Sequence, residues 1–371
     1  MSKWKEYKAK LNSDNKEVKP WDFLNPNTEY ATEEESDRRY EICKSCPELL
    51  QTTKQCKQCG CFMIMKSKLN DATCPIKKWD EEKIFISIAS YRDPELKDTI
   101  LSAIENAYSP KRLFFSIISQ ADENEHPDLS DIEDMVDGIE YVKINFKDSM
   151  GACWARGLAQ KPLNSSYKYF LQIDSHMKFT NSWDFYMLSK YKKSKERWNK
   201  LIYTTYVYPY SYNGDQIEYF SSNTPTVACL KISNGDAMFE GTYKDYQGDN
   251  LGEKTNYFSG HFAFGESQIF IDTPYDMNLY FSGEEPSLAA RFNDKDVNLV
   301  VPPLNFLYHR YDRIGRNMHW GDNELWWQID RSSKDRLKKI FDGDPLDGYG
   351  VSDIEKLNAW KASAVIDANT I

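Results

Sequence analysis

Residues 83–108, KIFISIASYRDPELKDTILSAIENAY, combine the sequence signals of a buried strand with those of a helix. Its first eight residues, KIFISIAS, have the length and apolar composition of a buried strand. Asp93 then stands at a favoured helix-capping position, Pro94 suits the first turn of a helix, and apolar residues recur at 96, 100, 101 and 104. We therefore predict a strand followed by a helix that starts at Pro94.

The same alternation continues along the chain. Further strands are predicted at RLFFSIIS (112–119), IEYVKINF (139–146) and YKYFLQI (167–173), and a further helix opens at GACWARGLAQ (151–160). Alternating strands and helices imply an α/β fold with a largely parallel sheet, in which ligands bind at the carboxyl ends of the strands. We expect this domain to cover residues 81–330, followed by a helical tail at 331–371.

Composition describes a globular chain without an apolar membrane segment. The 371 residues carry a net charge of −10, and 14% of them are aromatic. No run reaches the roughly 18 apolar residues that a membrane-spanning helix needs, so we expect no membrane partner. The charged start, MSKWKEYKAK, lacks the apolar stretch of a secretory signal. We therefore expect an N-terminal extension at 1–40 and a cytoplasmic location, which would be the host cytoplasm if the protein is viral.

Six of the eight cysteines are clustered, which predicts a metal site because disulfides are disfavoured in the cytoplasm. They are Cys43, Cys46, Cys56, Cys59, Cys61 and Cys74. The first four form two Cys-x2-Cys pairs, and each pair can turn two thiolates toward a zinc ion. Either one ion takes four of the thiolates, or two ions share all six. We thus expect a Cys-rich zinc-binding module at 41–80, which resembles a small module of tailed-phage proteins and implies a viral origin.

This module differs in charge from the rest of the chain. Residues 41–79 contain seven Lys and three acidic residues, a net charge of +4, which leaves −14 on the remainder. A basic module suits a nucleic acid or an acidic partner. It equally suits a solvated surface that packs against the neighbouring domain. Only Phe62 and Trp79 are available for base stacking, which disfavours single-strand binding.

Two potential metal ligands, Asp174 and His176, follow the apolar run in KYFLQIDSHMKFTNSW (168–183). A carboxylate and an imidazole two residues apart, just beyond a strand, can face one side of a loop and hold a divalent ion such as Mn²⁺. The alternative is an ordinary polar turn, because Asp and Ser favour turns. The position at a strand's carboxyl end favours the site.

A family resemblance extends over roughly residues 83–320. It is carried, in order, by IFISIASYRDPELKDTI (84–100), GACWAR (151–156), FLQIDSHMKF (170–179), FSGHFAFGES (258–267), FSGEEPSLAARF (281–292) and LYHRYDR (307–313). These motifs resemble the GlcNAc-transferase family that includes the cytoplasmic Skp1-hydroxyproline glycosyltransferases, and more distantly the polypeptide GalNAc-transferases. The resemblance implies a GT-A fold, which is a Rossmann-like nucleotide-diphospho-sugar transferase domain. The Cys-rich module departs from that family's usual pattern.

The resemblance also implies a UDP-sugar donor and a divalent ion, Mn²⁺ or Mg²⁺, that neutralises the diphosphate as the sugar leaves. Asp174 and His176 would hold this ion. A third ligand is expected from the C-terminal part of the domain. His309 in LYHRYDR is the better match for it, and His319 in NMHW is the runner-up.

Several residues are expected to meet the nucleotide. Ser90, Tyr91 and Arg92, at the end of the first strand, would meet the uridine. Asp122, after the second strand, would accept hydrogen bonds from uracil or ribose. Arg156 matches a basic position of the family and would face the diphosphate as a fixed cation. For both arginines, surface ion pairing is the alternative.

The motifs at 260–267 and 281–291 are expected to line the sugar pocket, with Gly260 permitting close backbone approach. Glu284 or Glu285 would hydrogen-bond sugar hydroxyls or lie beneath the anomeric carbon, where a carboxylate stabilises oxocarbenium character. For Glu285 the alternative is stabilisation of a helix N-terminus. The related families retain the anomeric configuration, and the resemblance implies the same for this chain.

Two functions of different classes follow. The first is an enzyme that moves a sugar, GlcNAc as the best candidate, from a UDP-sugar to a hydroxyl of a macromolecular acceptor. That acceptor would be a protein side chain or a hydroxymethylated base in viral DNA. The second is a non-catalytic, zinc-anchored binding or structural protein on a degenerate transferase fold. The presence of Asp174, His176, Arg156 and Glu284 favours the enzyme.

Overall fold

The computed structural model describes residues 28–364 except 71, 77, 80–81, 215, 221–225, 234–235 and 282, and not the side chains of 34, 226–245 and 364. Most of the expected N-terminal extension and the end of the expected tail therefore lie outside the described residues. The chain divides after residue 81 into two compact units.

The first unit contains the clustered cysteines. Helix α1 (Glu33–Lys44) begins after Thr32, whose hydroxyl accepts the backbone N–H of Glu35. The elements that follow are β1 (Leu49–Leu50), its antiparallel partner β2 (Gln55–Cys56) and the short helix α2 (Met63–Lys66). The unit has a small core of its own, formed by Cys43, Leu49, Cys56, Met63, Leu69, Ala72 and Trp79.

The second unit is built on an eight-stranded sheet. One half consists of β3 (Ile84–Tyr91), β4 (Leu113–Ala121), β5 (Gly138–Asn145) and β6 (Tyr169–Asp174). These four strands are parallel and lie in the spatial order β6, β3, β4, β5. The other half continues from β6 through β14 (Phe262–Glu266), β8 (Leu201–Thr204), β15 (Asn298–Val301) and β13 (Glu253–Thr255). The predicted α/β class is confirmed. The sheet is mixed rather than largely parallel, because β14 runs antiparallel to both of its neighbours.

Strand β3 shows how the sheet acquires two covered faces. Successive side chains of a strand point to opposite faces, so Ile84, Ile86 and Ile88 join one hydrophobic cluster and Phe85 joins another. The first cluster includes the apolar side of helix α3 (Leu96–Glu105). This helix begins two residues after the predicted start, because the Asp93 side chain accepts the Glu95 N–H and closes a turn first.

The remaining described helices lie on or around this sheet. They are α4 (Ala152–Gln160), α5 (Trp183–Ser194), α6 (Ser267–Asp272), α7 (Glu284–Asp294), α8 (His319–Asp322), α9 (Trp326–Phe341) and α10 (Ile354–Ala364). Helix α9 spans residue 331, where the tail was expected to begin. No described helix has the length and apolar character needed to cross a membrane.

The described part of this unit contains three further strand pairs. They are β7 (Met177–Phe179) with β16 (Leu307–His309), β9 (Tyr210–Asn213) with β10 (Gln216–Tyr219), and β11 (Thr226–Ser233) with β12 (Asp236–Asp245). In the first pair, His309 lies opposite Met177. The end of β16 therefore lies beside the turn that follows β6.

Candidate active site

Three potential metal ligands converge at the C-terminal end of β6. Asp174 is the last residue of that strand, His176 lies in the turn before β7, and His309 ends β16. One donor atom from each lies within 4.8 Å of the other two. His309 Nε2 is 3.2 Å and His176 Nε2 is 3.7 Å from Asp174 Oδ2. We call these three residues the triad, and within the described part of the chain no other group of three His, Cys, Asp or Glu side chains is this close.

The β7–β16 pairing decides which of the two candidate histidines joins Asp174 and His176. It brings His309 into the triad, across more than a hundred residues of sequence. His319 lies on the wall of the neighbouring cavity, where its Nδ1 contacts the hydroxyl of Tyr280. The geometry therefore favours His309 as the third ligand.

The ionisation of the triad suits a divalent cation. Burial raises the pKa of Asp174, but Arg156 at 2.6 Å and His309 outweigh burial and hold that pKa well below its usual range. Burial lowers the pKa of His309 to about 4, against the opposing effect of Asp174. At neutral pH the triad thus offers one carboxylate and a neutral His309 imidazole. Because 22% of the Asp174 side chain is exposed, an ion can reach it, and the donor set fits Mn²⁺.

Arg156 of α4 is a buried bridge between two carboxylates. Its Nη2 donates to Asp174 Oδ1 at 2.6 Å, and its Nη1 donates to Glu284. Tyr275 also donates its hydroxyl to Glu284, at 2.7 Å. The Gly260 backbone passes so close that a Cβ there would clash with Arg156 and Glu284. Arg156 lines the cavity as well, but its hydrogen bonds go to protein carboxylates.

Glu285 lies in the first turn of α7 and uses both of its oxygens within the protein. Oε1 accepts the Gly260 N–H at 2.8 Å, and Oε2 lies 3.4 and 3.3 Å from the hydroxyls of Tyr206 and Tyr257. Burial, together with the neighbouring charge of Glu284, raises the pKa of Glu285 to about 7. Neither Glu284 nor Glu285 belongs to the lining of the cavity beside the triad.

A cavity of about 280 Å³ opens beside the triad at the carboxyl ends of β3, β4 and β6. Ser90 and Tyr91, two of the expected nucleotide contacts, line it. Arg92 and Asp122 do not; Arg92 instead forms ion pairs with Glu125 and Asp322. The sequence did not single out several of the polar residues that line this cavity, namely Gln120, Ser149, Tyr311, Arg313 and Arg316.

Helix α3 holds the turn between β6 and β7 through a buried hydroxyl. Thr99 Oγ1 donates to the Ser175 carbonyl at 2.7 Å and accepts the Met177 N–H at 2.8 Å. These backbone groups flank His176 on both sides. Thr99 therefore fixes the backbone that carries two of the three triad residues, a role that the apolar spacing of the helix did not indicate.

A family model described as glycosyltransferase (GlcNAc) matches residues 83–136 and 132–367. The chain belongs to this family. The predicted GlcNAc-transferase resemblance is confirmed at that level, whereas the narrower likenesses to Skp1-type enzymes and to phage modules stay predictions. The match to the GlcNAc glycosyltransferase family begins after the first unit, so the clustered cysteines lie outside the matched residues.

Solved structures resemble this GlcNAc glycosyltransferase chain in fold at low sequence identity. A structure of GalNAc-T7 with UDP, GalNAc and Mn²⁺ has a TM-score of 0.51 and 14% identity, and the similarity covers 77% of this chain and 55% of GalNAc-T7. The chain thus spans about half the length of that protein. A structure of S. aureus TarS has a TM-score of 0.44 and 10% identity, with 76% of this chain and 42% of TarS covered. No curated protein matches the chain. The likeness to GalNAc-T7 supports the predicted GT-A type of fold.

No disulfide joins the clustered cysteines of the first unit in the described residues. A small cavity there is lined by Cys43, Cys46, Cys56, Cys59 and Cys74, but not by Cys61. Trp79 Nε1 donates to Cys43 Sγ at 3.2 Å, and Cys61 Sγ donates to the Cys59 carbonyl at 3.7 Å. No three of the described thiols lie within 4.8 Å of one another. The zinc site therefore stays a prediction.

Proposed function

We propose that the chain is a metal-dependent glycosyltransferase that moves GlcNAc from UDP-GlcNAc to a hydroxyl of a macromolecular acceptor. The observation that carries this proposal is the convergence of the triad beside a 280 Å³ cavity in a member of the GlcNAc glycosyltransferase family. A carboxylate with two imidazoles suits Mn²⁺ better than Mg²⁺, which prefers oxygen ligands. The similar protein GalNAc-T7 was crystallised with UDP, GalNAc and Mn²⁺.

The ion, when bound by Asp174, His176 and His309, would neutralise the diphosphate as the sugar leaves. The residues around it contribute fixed electrostatics. Arg156 keeps Asp174 ionised, and Glu284 holds Arg156 in place from the opposite side. The Asp174 carboxylate is thereby oriented before UDP-GlcNAc binds, and the site needs little rearrangement during the reaction.

The donor's nucleotide would lie against the carboxyl ends of β3 and β4. Ser90 and Tyr91 line the cavity there, and we propose that they contact the uridine. Arg313 and Arg316 line the same cavity and supply positive charge for the diphosphate. For Arg92 and Asp122, which lie away from the lining, a nucleotide contact stays a prediction.

Glu284 and Glu285 are proposed to support the sugar pocket from behind, Glu284 through Arg156 and Glu285 through the Gly260 backbone. Retention of the anomeric configuration is part of the proposal. Proton NMR of the product should then show an α-linked GlcNAc. A β-linked product would contradict a retaining mechanism.

We further propose that the first unit binds zinc and contacts the acceptor in a cytoplasm that keeps its thiols reduced. Five of its cysteines line one cavity, and residues 41–79 carry a net charge of +4 beside a remainder of −14. The acceptor would be a protein hydroxyl or a hydroxymethylated base in viral DNA. Mass spectrometry of protein and DNA from cells that express the chain should find added HexNAc on one of them.

A panel of UDP-sugars with Mn²⁺ tests the enzymatic proposal. We expect release of UDP from UDP-GlcNAc by the wild-type chain and its loss in Asp174→Ala. Asp98→Ala removes an exposed carboxylate from α3 and should keep the wild-type rate, which makes it the matched control. If calorimetry finds no binding of any UDP-sugar at millimolar ligand, the non-catalytic alternative holds instead.

A further inference from the structure

The turn between β3 and α3 presents two buried carboxylates to the segments that carry the triad histidines. The Asp93 side chain is 4% exposed and the Glu95 side chain is 6% exposed. Neither residue belongs to the triad. Burying a carboxylate is unfavourable unless it is paired, so the contacts of these two residues indicate what they do.

The two oxygens of Asp93 have separate tasks. Oδ1 accepts the Glu95 N–H at 2.9 Å and so closes the turn at the helix start. Oδ2 accepts the Ser175 hydroxyl at 2.8 Å and lies 2.7 Å from His176 Nδ1. A carboxylate can only accept a hydrogen bond, which places the imidazole proton on Nδ1. His176 Nε2, which faces Asp174, therefore keeps the free lone pair that a metal needs.

Glu95 contacts the segment that carries His309. Its carboxylate pairs with Arg310, the residue that follows His309, and accepts the Tyr210 hydroxyl at 2.5 Å. The Arg310 backbone N–H donates to the His176 carbonyl at 3.1 Å. The guanidinium is thus anchored to the β3–α3 turn, while the backbone of the same residue joins the two histidine segments.

We propose that Asp93 and Glu95 are positioning residues of the metal site. Asp93 fixes the tautomer and ring orientation of His176, and Glu95 fixes, through Arg310, the segment that ends in His309. This inference rests on the proposed function, because it concerns the same metal. A carboxylate behind a metal-bound imidazole orients the ring and strengthens it as a donor, and loss of such a partner costs about 10-fold to 100-fold in metal affinity.

Asp93→Asn is the direct test, because it changes one oxygen and leaves the helix start intact. The Asn carbonyl can still accept the Glu95 N–H, while its NH₂ group now faces His176 Nδ1. An NH₂ donor pairs with a lone pair on Nδ1, which moves the imidazole proton to Nε2. We expect ¹⁵N NMR of the metal-free full chain, which has five histidines, to show this tautomer change for His176. We also expect the Mn²⁺ dissociation constant, measured by EPR, to rise about 10-fold to 100-fold.

The control is Asp98→Asn, which alters an exposed carboxylate of the same helix and should leave both readouts unchanged. Excess Mn²⁺ should restore kcat in Asp93→Asn, while the Mn²⁺ concentration for half-maximal activity stays raised. A merely structural defect would not be rescued by Mn²⁺. A folded Asp93→Asn protein with the wild-type tautomer and the wild-type Mn²⁺ affinity overturns the role of Asp93.

Glu95→Gln keeps the inference testable if thermal melting shows that Asp93→Asn does not fold. It should weaken Mn²⁺ binding without changing the His176 tautomer, and Glu105→Gln, at the exposed end of α3, is its control. Weakened Mn²⁺ binding in both variants, with no turnover of any UDP-sugar by the wild type, would overturn only the proposed function. Mn²⁺-dependent turnover with unchanged Mn²⁺ affinity in both variants would overturn only this inference. Absence of Mn²⁺ binding by the wild type overturns both.

Discussion

Removing the charge of Glu285 should change how the stability of the protein depends on pH. Burial raises the pKa of this carboxyl from 4.5 to about 7. The folded state then binds the proton more tightly than the unfolded state does, so protonation of Glu285 stabilises the folded state. This stabilisation is fully present below pH 4.5 and is lost as the pH rises through 7. The whole difference corresponds to roughly 3 kcal/mol, most of which falls between pH 5 and pH 8.

Glu285→Gln removes this titration while keeping an oxygen for the Gly260 N–H. Urea unfolding of the full chain, followed by tryptophan fluorescence, gives the free energy of unfolding at pH 5 and at pH 8. We expect the free energy of unfolding of the variant, minus that of the wild type, to increase by about 2 to 3 kcal/mol from pH 5 to pH 8. Glu105→Gln, an exposed carboxylate, should show no such change. Equal pH dependence in Glu285→Gln and the wild type would refute a pKa raised by burial.

Three further predictions concern other parts of the molecule. Thr99→Val keeps the side-chain shape but leaves the buried Ser175 carbonyl and Met177 N–H without the hydroxyl. We expect the free energy of unfolding in urea to fall by about 1 to 3 kcal/mol; a variant as stable as the wild type would contradict the role of Thr99 in holding this turn. Gly260→Ala places a methyl group against Arg156 and Glu284, so Mn²⁺ affinity by EPR should fall, whereas Gly321→Ala, where a Cβ meets no atom within 4 Å, should bind Mn²⁺ normally. Cys43→Ser should abolish bound zinc in elemental analysis while Cys61→Ser keeps it, since Cys43 lines the small cavity and Cys61 does not. Equal zinc content in both variants would count against this assignment.

Local patterns in the sequence were sufficient to predict the parallel half of the sheet. The apolar runs that became β3, β4 and β6 have the length and composition of buried strands, whereas β5, at the edge of the sheet, was predicted although none of its residues is buried. The positions of Asp174 and His176 follow from the end of β6. The direction of β14 was not predictable in the same way. An apolar strand has the same composition in either orientation. The tertiary fold, rather than the local sequence, places β14 between β6 and β8.

The rest of the site depends on contacts between distant residues. His309 reaches Asp174 through the β7–β16 pairing, which no local spacing encodes. Asp93 was recognised as a residue of the helix start, and its Oδ1 does have that role. Its Oδ2, however, contacts His176, 83 residues further along the chain. One side chain thus has a local role that the sequence indicates and a tertiary role that only the fold shows.

Pulsed EPR of Mn²⁺ bound to the full chain with UDP-GlcNAc tests whether Asp174, His176 and His309 hold the ion beside the diphosphate of the donor. We expect ¹⁴N couplings from two imidazole ligands, of which one disappears in His176→Ala and one in His309→Ala, while His319→Ala keeps both. Bound UDP-GlcNAc should also alter the Mn²⁺ spectrum through the ³¹P nuclei of the diphosphate. A Mn²⁺ spectrum without nitrogen couplings, or couplings lost in His319→Ala and kept in His309→Ala, would contradict this set of ligands.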